Sequence, residues 1–352
     1  MTNVDKHWCR RCGRITYAPI NYNGDIPVEA SFYRNIAASR SMSNGKTNFV
    51  CYEHQGKAGK FLDALNHGGK YHLVDFERNC NGILFVLSDT DIMGRKEKLD
   101  YMRRSGVKNF FIYPHAARPD LVNDVYTEWA HVTAHFVVSK GHADIMKLYG
   151  YSRPLMTVGW SLCQVKPFKA RKELKNVLFA PIHPRCSKVD QDVNWASFKR
   201  LEKLAKAGHI KLTVRFINNL VDSGLERIEH PNILWTPGAM NQAVDQIDEA
   251  DLVVGHQTFL YLAVARGVPA IGMAEDLPTH VQAKNQAVQW VKNWKKYEHL
   301  LAFPYDILQT QDLLSLMQKA VSCDDEIKDW RKRMIGRPFR KSEFLEKLEK
   351  FL

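Results

Sequence analysis

The chain has 352 residues, 45% of them hydrophobic and 25% charged, with 50 Lys and Arg against 38 Asp and Glu for a formal net charge of +12. The length suits two domains of about 150 residues each, the composition excludes a low-complexity or disordered polymer, and no run of about 18 apolar residues exists to span a bilayer. Seven scattered cysteines argue against a disulfide framework, and the polar start MTNVDKHWCRRCGR lacks the apolar stretch of a secretory signal, so a reducing, cytoplasmic location is expected.

The positive charge is uneven. Residues 1–170 hold 23 Lys and Arg against 15 Asp and Glu, and residues 171–352 hold 27 against 23. Such a bias favours anionic partners, whether nucleic acid, anionic glycan or phosphorylated substrate, and does not bear on fold.

At the N-terminus, WCRRCGR supplies Cys9 and Cys12 and FVCYEHQ supplies Cys51 and His54. Two knuckle-like pairs of N and S ligands suit a structural tetrahedral zinc site, with His7 as a spare ligand. This reading makes residues 1–56 a zinc-ribbon-like appendage. The stretch 48–65 reads equally as a first strand and helix, with Cys51 in a core. Arg10, Arg11 and Arg14 flank the first pair, either as a nucleic-acid contact or as a solvated basic loop.

From residue 71 onward, short β-rich runs alternate with helical patterns. KYHLVDF (70–76), GILFVLSD (82–89), NFFIYPH (109–115), HFVVS (135–139) and PLMTVG (154–159) read as strands, and residues 93–106 and 142–150 as helices. Polar residues and a proline interrupt the pattern over 160–176, which reads as a linker. A second series follows: a strand at 176–184, a helix at 194–208 stopped by Gly208, strands at 211–217 and 232–238, then a strand, helix and strand within ADLVVGHQTFLYLAVARGVPAIGM (250–273), and helices from about residue 310. Alternation of this kind predicts α/β domains with parallel sheets.

Ligands of open parallel sheets bind beyond the carboxyl ends of the strands, and three turns of the second series carry residues suited to that place. His183-Pro184-Arg185 offers an arginine fork and a histidine to a phosphate, or is a charged surface loop. Thr236-Pro237-Gly238 lets the backbone approach a flat ligand that Trp235 would line, unless the turn is plain and the tryptophan is core. His256-Gln257-Thr258 precedes an apolar helix. Gly255 would permit a sharp turn there and Gln257 or Thr258 would cap, leaving a helix N-terminus fit for a diphosphate.

The segments VVSKGHADIMKLYGYSRPLMTVGW, KNVLFAPIHP and EADLVVGHQTFLYLAVARGVPAIG resemble the GT-B superfamily of glycosyltransferases, near its CDP-glycerol glycerophosphotransferase and UDP-N-acetylglucosamine 2-epimerase branches, over about residues 80–320. The resemblance implies two Rossmann-like domains facing a cleft: residues 57–165 binding the acceptor and residues 166–352, with the C-terminal helices, binding a nucleotide-sugar donor. By position, His183 and Arg185 then fall at phosphate or sugar, and His256 to Thr258 at the diphosphate. The chain departs from many relatives in having Leu262, after Tyr261, where they carry the glutamate that grips the ribose. Glu275 and Asp276 at the next strand end would bind donor sugar hydroxyls, or form a solvated loop.

Sugar transfer with inversion needs a base for the acceptor proton. His115, in YPHAARPD, is the candidate, with Asp89 and Asp91 of LSDTD as rivals, although Asp89 also suits a helix cap. Arg118 would meet an anionic acceptor. The expected activity is sugar transfer from a nucleotide diphosphate to a modified base in DNA, as in virus-encoded enzymes, or alternatively to an envelope glycan or polyol-phosphate polymer. The competing class is a zinc-containing nucleic-acid-binding protein without catalysis. An epimerase is disfavoured, because the acidic pair its opening helix needs is absent.

Overall fold

The computed structural model describes residues 133–148, 151–160, 163–182, 188–216, 223–238, 243–273 and 303–351, together with six short strands before them that are traced by their backbone, and the Phe111 side chain. Strands β1 (Trp8–Cys9) and β2 (Arg14–Ile15) form a small antiparallel ribbon in which Cys9 pairs with Arg14.

The first large sheet contains β3 (Asn48–Cys51), β4 (His72–Val74), β5 (Gly82–Val86), β6 (Asn109–Ile112), β7 (Ala134–Val137) and β8 (Leu155–Thr157) in the order β4-β3-β5-β6-β7-β8. Every pairing is parallel, as the near-continuous apolar runs of the strands require of a sheet covered on both faces. Two expectations change. The strand carrying Cys51 lies between β4 and β5, with Cys51 opposite Phe85, so Cys51 belongs to the first sheet, the second of the two readings of 48–65. The helix expected at 142–150 is α1 (Lys140–Leu148), which begins two residues earlier.

The second sheet contains β9 (Asn176–Phe179), β10 (Lys211–Phe216), β11 (Ile233–Pro237), β12 (Leu252–Gly255) and β13 (Ala270–Gly272), all parallel, in the order β11-β10-β9-β12-β13. Its helices are α2 (Lys188–Lys206), α3 (Ala243–Asp248) and α4 (Gln257–Ala265). α2 starts six residues before the expected helix and stops where Gly208 was expected to stop it. Gly208 has φ +79°, and the N–H groups of Gly208 and His209 turn back to the carbonyls of Ala205 and Leu204, which is the glycine-terminated Schellman arrangement. α4 ends the same way at Gly267.

The remaining helices are α5 (Leu313–Val321), α6 (Asp325–Met334) and α7 (Lys341–Glu349). Asp312 caps α5 by accepting from Ser315 N–H, and Asp324 caps α6 by accepting from Ile327 N–H. Sequence reading assigns all three helices to the second domain, but they divide. Trp330 of α6 packs edge-on against Tyr261 of α4 with ring centroids 4.8 Å apart. α7 instead covers the first sheet: Phe344 meets Phe136 at 5.1 Å and Phe351, beyond its end, meets Phe111 at 5.9 Å. Lys347 donates to the Thr157 carbonyl at the end of β8.

The chain returns to the first sheet alongside its own outgoing path. Trp160 N–H donates to Arg337 O at 2.8 Å and Phe339 N–H to Trp160 O at 3.0 Å. Gly159, at φ +92°, makes this possible, because a Cβ there would lie 2.5 Å from Pro338 O. The linker that follows has no helix or strand between 163 and 175, yet it is tied down: Lys166 N–H donates to Ala265 O at 2.9 Å and Arg171 N–H to Val321 O at 2.8 Å. Among the described residues no helix is long and apolar enough to cross a membrane.

Candidate functional site

Strand order decides where a ligand meets the second sheet. The chain runs outward from β9 in one direction through β10 to β11 and in the other through β12 to β13. The turns that leave the carboxyl ends of β9 and β12 therefore diverge, opening a crevice at that edge. β12 leads straight into α4, whose first N–H groups have no acceptor within the helix and whose N-terminus carries about half a positive charge.

His256, not Thr258 or Gln257, is the N-cap of α4, with φ −130° and ψ 145° and no capping side-chain bond. Gln257 and Thr258 occupy the first two helical positions, from which a side chain cannot act as the N-cap. Their side chains lie outside the described residues. Gly255 does not have a positive φ, so a sharp turn is not its role. The His256 ring is buried, at 9% exposure, and its Nδ1 lies 3.0 Å from the Met273 carbonyl beyond β13. A carbonyl only accepts, so Nδ1 carries the proton. The ring thereby links the ends of β12 and β13.

The side chain that sequence reading missed is Arg215, one residue from the end of β10 and only 3% exposed. Its Nε donates to Gln246 Oε1 of α3 at 2.7 Å, and its guanidinium carbon lies 5.1 Å from the ring centroid of Phe259 in the first turn of α4. Burial pushes its pKa down from the ordinary arginine value. Gly238 is the condition for this placement: a Cβ there would come within 2.5 Å of the guanidinium carbon. The glycine of the Pro237-Gly238 turn thus serves the arginine, and its φ is not that of a type II turn. The buried guanidinium thus lies against the first turn of α4, whose N-terminus carries partial positive charge. The signal in the sequence was a charged residue inside TVRF, a strand of a parallel sheet.

Trp235 does not line this crevice. It is 8% exposed, donates from Nε1 to Ile228 O at 2.9 Å and packs 5.3 Å from Phe198 of α2, so it is core. Tyr261 likewise points into the core, against Trp330 and His142. Leu262 packs against the same core, so the first turns of α4 carry no carboxylate.

Asn194 of α2 organises the stem of the His183 loop. It is fully buried; its Oδ1 accepts from Ile182 N–H at 2.7 Å and its Nδ2 donates to Ser223 O at 3.0 Å. His183 and Arg185 themselves lie outside the described residues, as do Glu275, Asp276, His115, Arg118, Asp89, Asp91, Cys12, His54 and the side chains of Cys9 and Cys51. Among the described residues no group of three or more His, Cys, Asp or Glu is placed to hold a metal ion.

No protein-family model matches the chain, and no curated protein matches it. Solved structures do. The GtfA/B complex is similar at TM-score 0.40 and 12% identity, over 77% of this chain and 57% of that one. A variant of S. aureus TarM in complex with Fondaparinux, alpha-GlcNAc-glycerol and UDP is similar at TM-score 0.42 and 12% identity, over 76% and 55%. A trehalose-6-phosphate synthase is similar at TM-score 0.46 and 9% identity, over 87% and 100%. The chain thus spans little more than half the length of the first two, and the structures it is similar to include glycosyltransferases.

Proposed function

We propose that the chain transfers a sugar from a nucleotide-diphosphate donor bound at the carboxyl edge of the second sheet. One observation carries this reading: buried Arg215 lies against Gly238 and the first turn of α4 near the strand-order reversal, an arrangement that would suit a diphosphate. His183, Arg185, Glu275 and Asp276 follow the ends of neighbouring strands and would complete the donor contacts.

The acceptor would meet the first sheet. β5 and β6 are paired with Val86 opposite Ile112, so Asp89 and His115 each follow three residues after paired positions. This common offset supports one of them as the base and the other as its partner in holding the acceptor hydroxyl. The excess positive charge of residues 1–170 supports an anionic acceptor, with DNA carrying a modified base ahead of an anionic glycan.

The test is a thermal-shift panel of UDP-, GDP-, CDP- and dTDP-sugars against the native chain, Arg215→Met and Arg215→Lys, since a ligand of the folded state raises stability by about 2.7 kcal/mol at 100 times its Kd. One nucleotide should shift the native chain, with roughly 10- to 100-fold weaker binding in Arg215→Met, the loss expected for one charge-assisted bond, and an intermediate value in Arg215→Lys. A shift identical in all three proteins, or none with any nucleotide, would overturn the reading. Salt-sensitive binding of duplex DNA separates the two acceptors.

A further inference from the structure

A cavity of about 220 Å³ lies between the first turns of α2 and the segment following β10, lined by Gln191, Asp192, Trp195, Gly224 and Glu226. It shares no residue with the Arg215 corner. Gly224 shapes it: at φ +73°, with a Cβ that would fall 2.7 Å from Gln191 Cβ, only glycine lets the segment lie against the helix. Asn194 holds the carbonyl of the preceding Ser223, so the wall of the cavity is anchored to a buried side chain.

The lining combines an aromatic plane with planar hydrogen-bonding groups. Trp195 is 38% exposed, one of two large hydrophobic side chains left on the surface among the described residues. Carboxylates accept and the amide both accepts and donates, and Asp192 and Gln191 lie within one turn of Trp195 on the same helix.

Three ligand classes can be compared. A phosphate-bearing ligand would be repelled by Asp192 and Glu226. A cation would be repelled by the positive charge that Lys199 already brings to the indole, its ammonium 4.7 Å from the Trp195 ring centroid and 2.6 Å from Glu202, whereas a neutral ring meets no such repulsion. A neutral pyranose has an apolar C–H face for the indole and adjacent hydroxyls for the carboxylates and amide. The volume is below the roughly 300–1,000 Å³ of a drug-sized site, which suits a single ring.

We infer that this cavity is a carbohydrate subsite that holds one neutral sugar ring of a saccharide, stacked on Trp195 and hydrogen-bonded by Asp192, Glu226 and Gln191. It is separate from the donor corner and goes beyond the transferase reading.

The experiment is saturation-transfer difference NMR on the full chain with maltotriose and N,N′,N″-triacetylchitotriose, with choline as the cationic probe and UDP as competitor. Transfer should reach the C–H protons of one terminal ring, disappear in Trp195→Ala and weaken about 10-fold in Glu226→Gln, the loss of one hydrogen bond to a charged group. UDP should leave it unchanged. The inference is overturned by no transfer from either trisaccharide, by transfer that persists in both variants, by displacement with UDP, or by preferential binding of choline. Transfer in a protein that shows no nucleotide-dependent thermal shift would sustain the subsite while removing the transferase reading.

Discussion

Helices α2 and α4 follow neighbouring strands of one sheet and end in the same glycine-terminated turn, yet they are built for different surroundings. α4 has the sequence QTFLYLAVA, with Leu260, Tyr261, Ala263, Val264 and Ala265 all buried, because the sheet covers one side and α6 the other. α2 buries one stripe, including Asn194, Phe198 and Leu201, and leaves Asp192, Trp195 and Lys199 outward. A helix that is apolar all round must be enclosed, and a helix with one apolar stripe lies at the surface. The enclosed helix is fixed in position by contacts on both sides, whereas the surface helix leaves one flank to solvent.

The sharpest way to test this contrast is to delete a buried ring from α4. Tyr261→Ala should lower the unfolding free energy by about 3–5 kcal/mol, measured by urea denaturation, since it leaves a large cavity under α6. A loss below about 1 kcal/mol would mean α4 is not enclosed.

The two terminating glycines give the next comparison. Alanine at either must adopt a left-handed backbone, at about 1–2 kcal/mol. A Cβ at Gly208 meets nothing within 4 Å, but at Gly267 it would fall 2.1 Å from Pro167 O. Gly208→Ala should therefore cost only the backbone penalty and Gly267→Ala about 3 kcal/mol or more, because the linker must move as well. Equal losses would contradict the packing of the linker on α4.

Acid should loosen α4 from its neighbours through Asp248. The Arg266 guanidinium, at the C-cap of α4, and then Lys166 of the linker hold the Asp248 carboxyl below its ordinary value of 3.8. A depressed carboxylate pKa stabilises the fold fully above the unfolded value and ceases to do so as pH falls through the lower folded value. Asp248→Asn should cost about 1–2 kcal/mol at pH 7, and its difference from the native chain should shrink as pH falls below about 4. A difference independent of pH would show that the carboxylate is not the stabilising form.

The smallest effect belongs to the flank of α2. Trp195→Ala should lower stability by about 1 kcal/mol, since the indole gives up its contacts with Phe198 and Lys199, and a protein still folded after that loss lets its effect on saccharide binding be read.

Much of this fold was legible in the sequence. The runs NFFI, NVLF, KLTVRF and LVVG each became parallel strands, and Gly208 stopped α2, because strand periods and helix stops are local properties. The strand carrying Cys51 was read two ways for the opposite reason: a Cys-x2-His spacing looks the same in a knuckle and at the end of a sheet strand. Trp235 was a candidate ligand wall until Phe198, 37 positions away in the chain, covered it. The three C-terminal helices read alike, and only partners on the first sheet separate α7 from α5 and α6.

The sequence by itself determined the kind and order of the described strands and helices and their parallel pairing. Hydrophobic period and turn chemistry act over a few residues, and these features need nothing more. Tertiary structure alone decided that Arg215 lies against Gly238 and Phe259, that His256 spends Nδ1 on Met273, and that Gly224 opens a cavity beside Trp195. Each of these depends on strand order and on the close approach of residues far apart in the chain, where the missing Cβ of a glycine determines which side chain occupies the space.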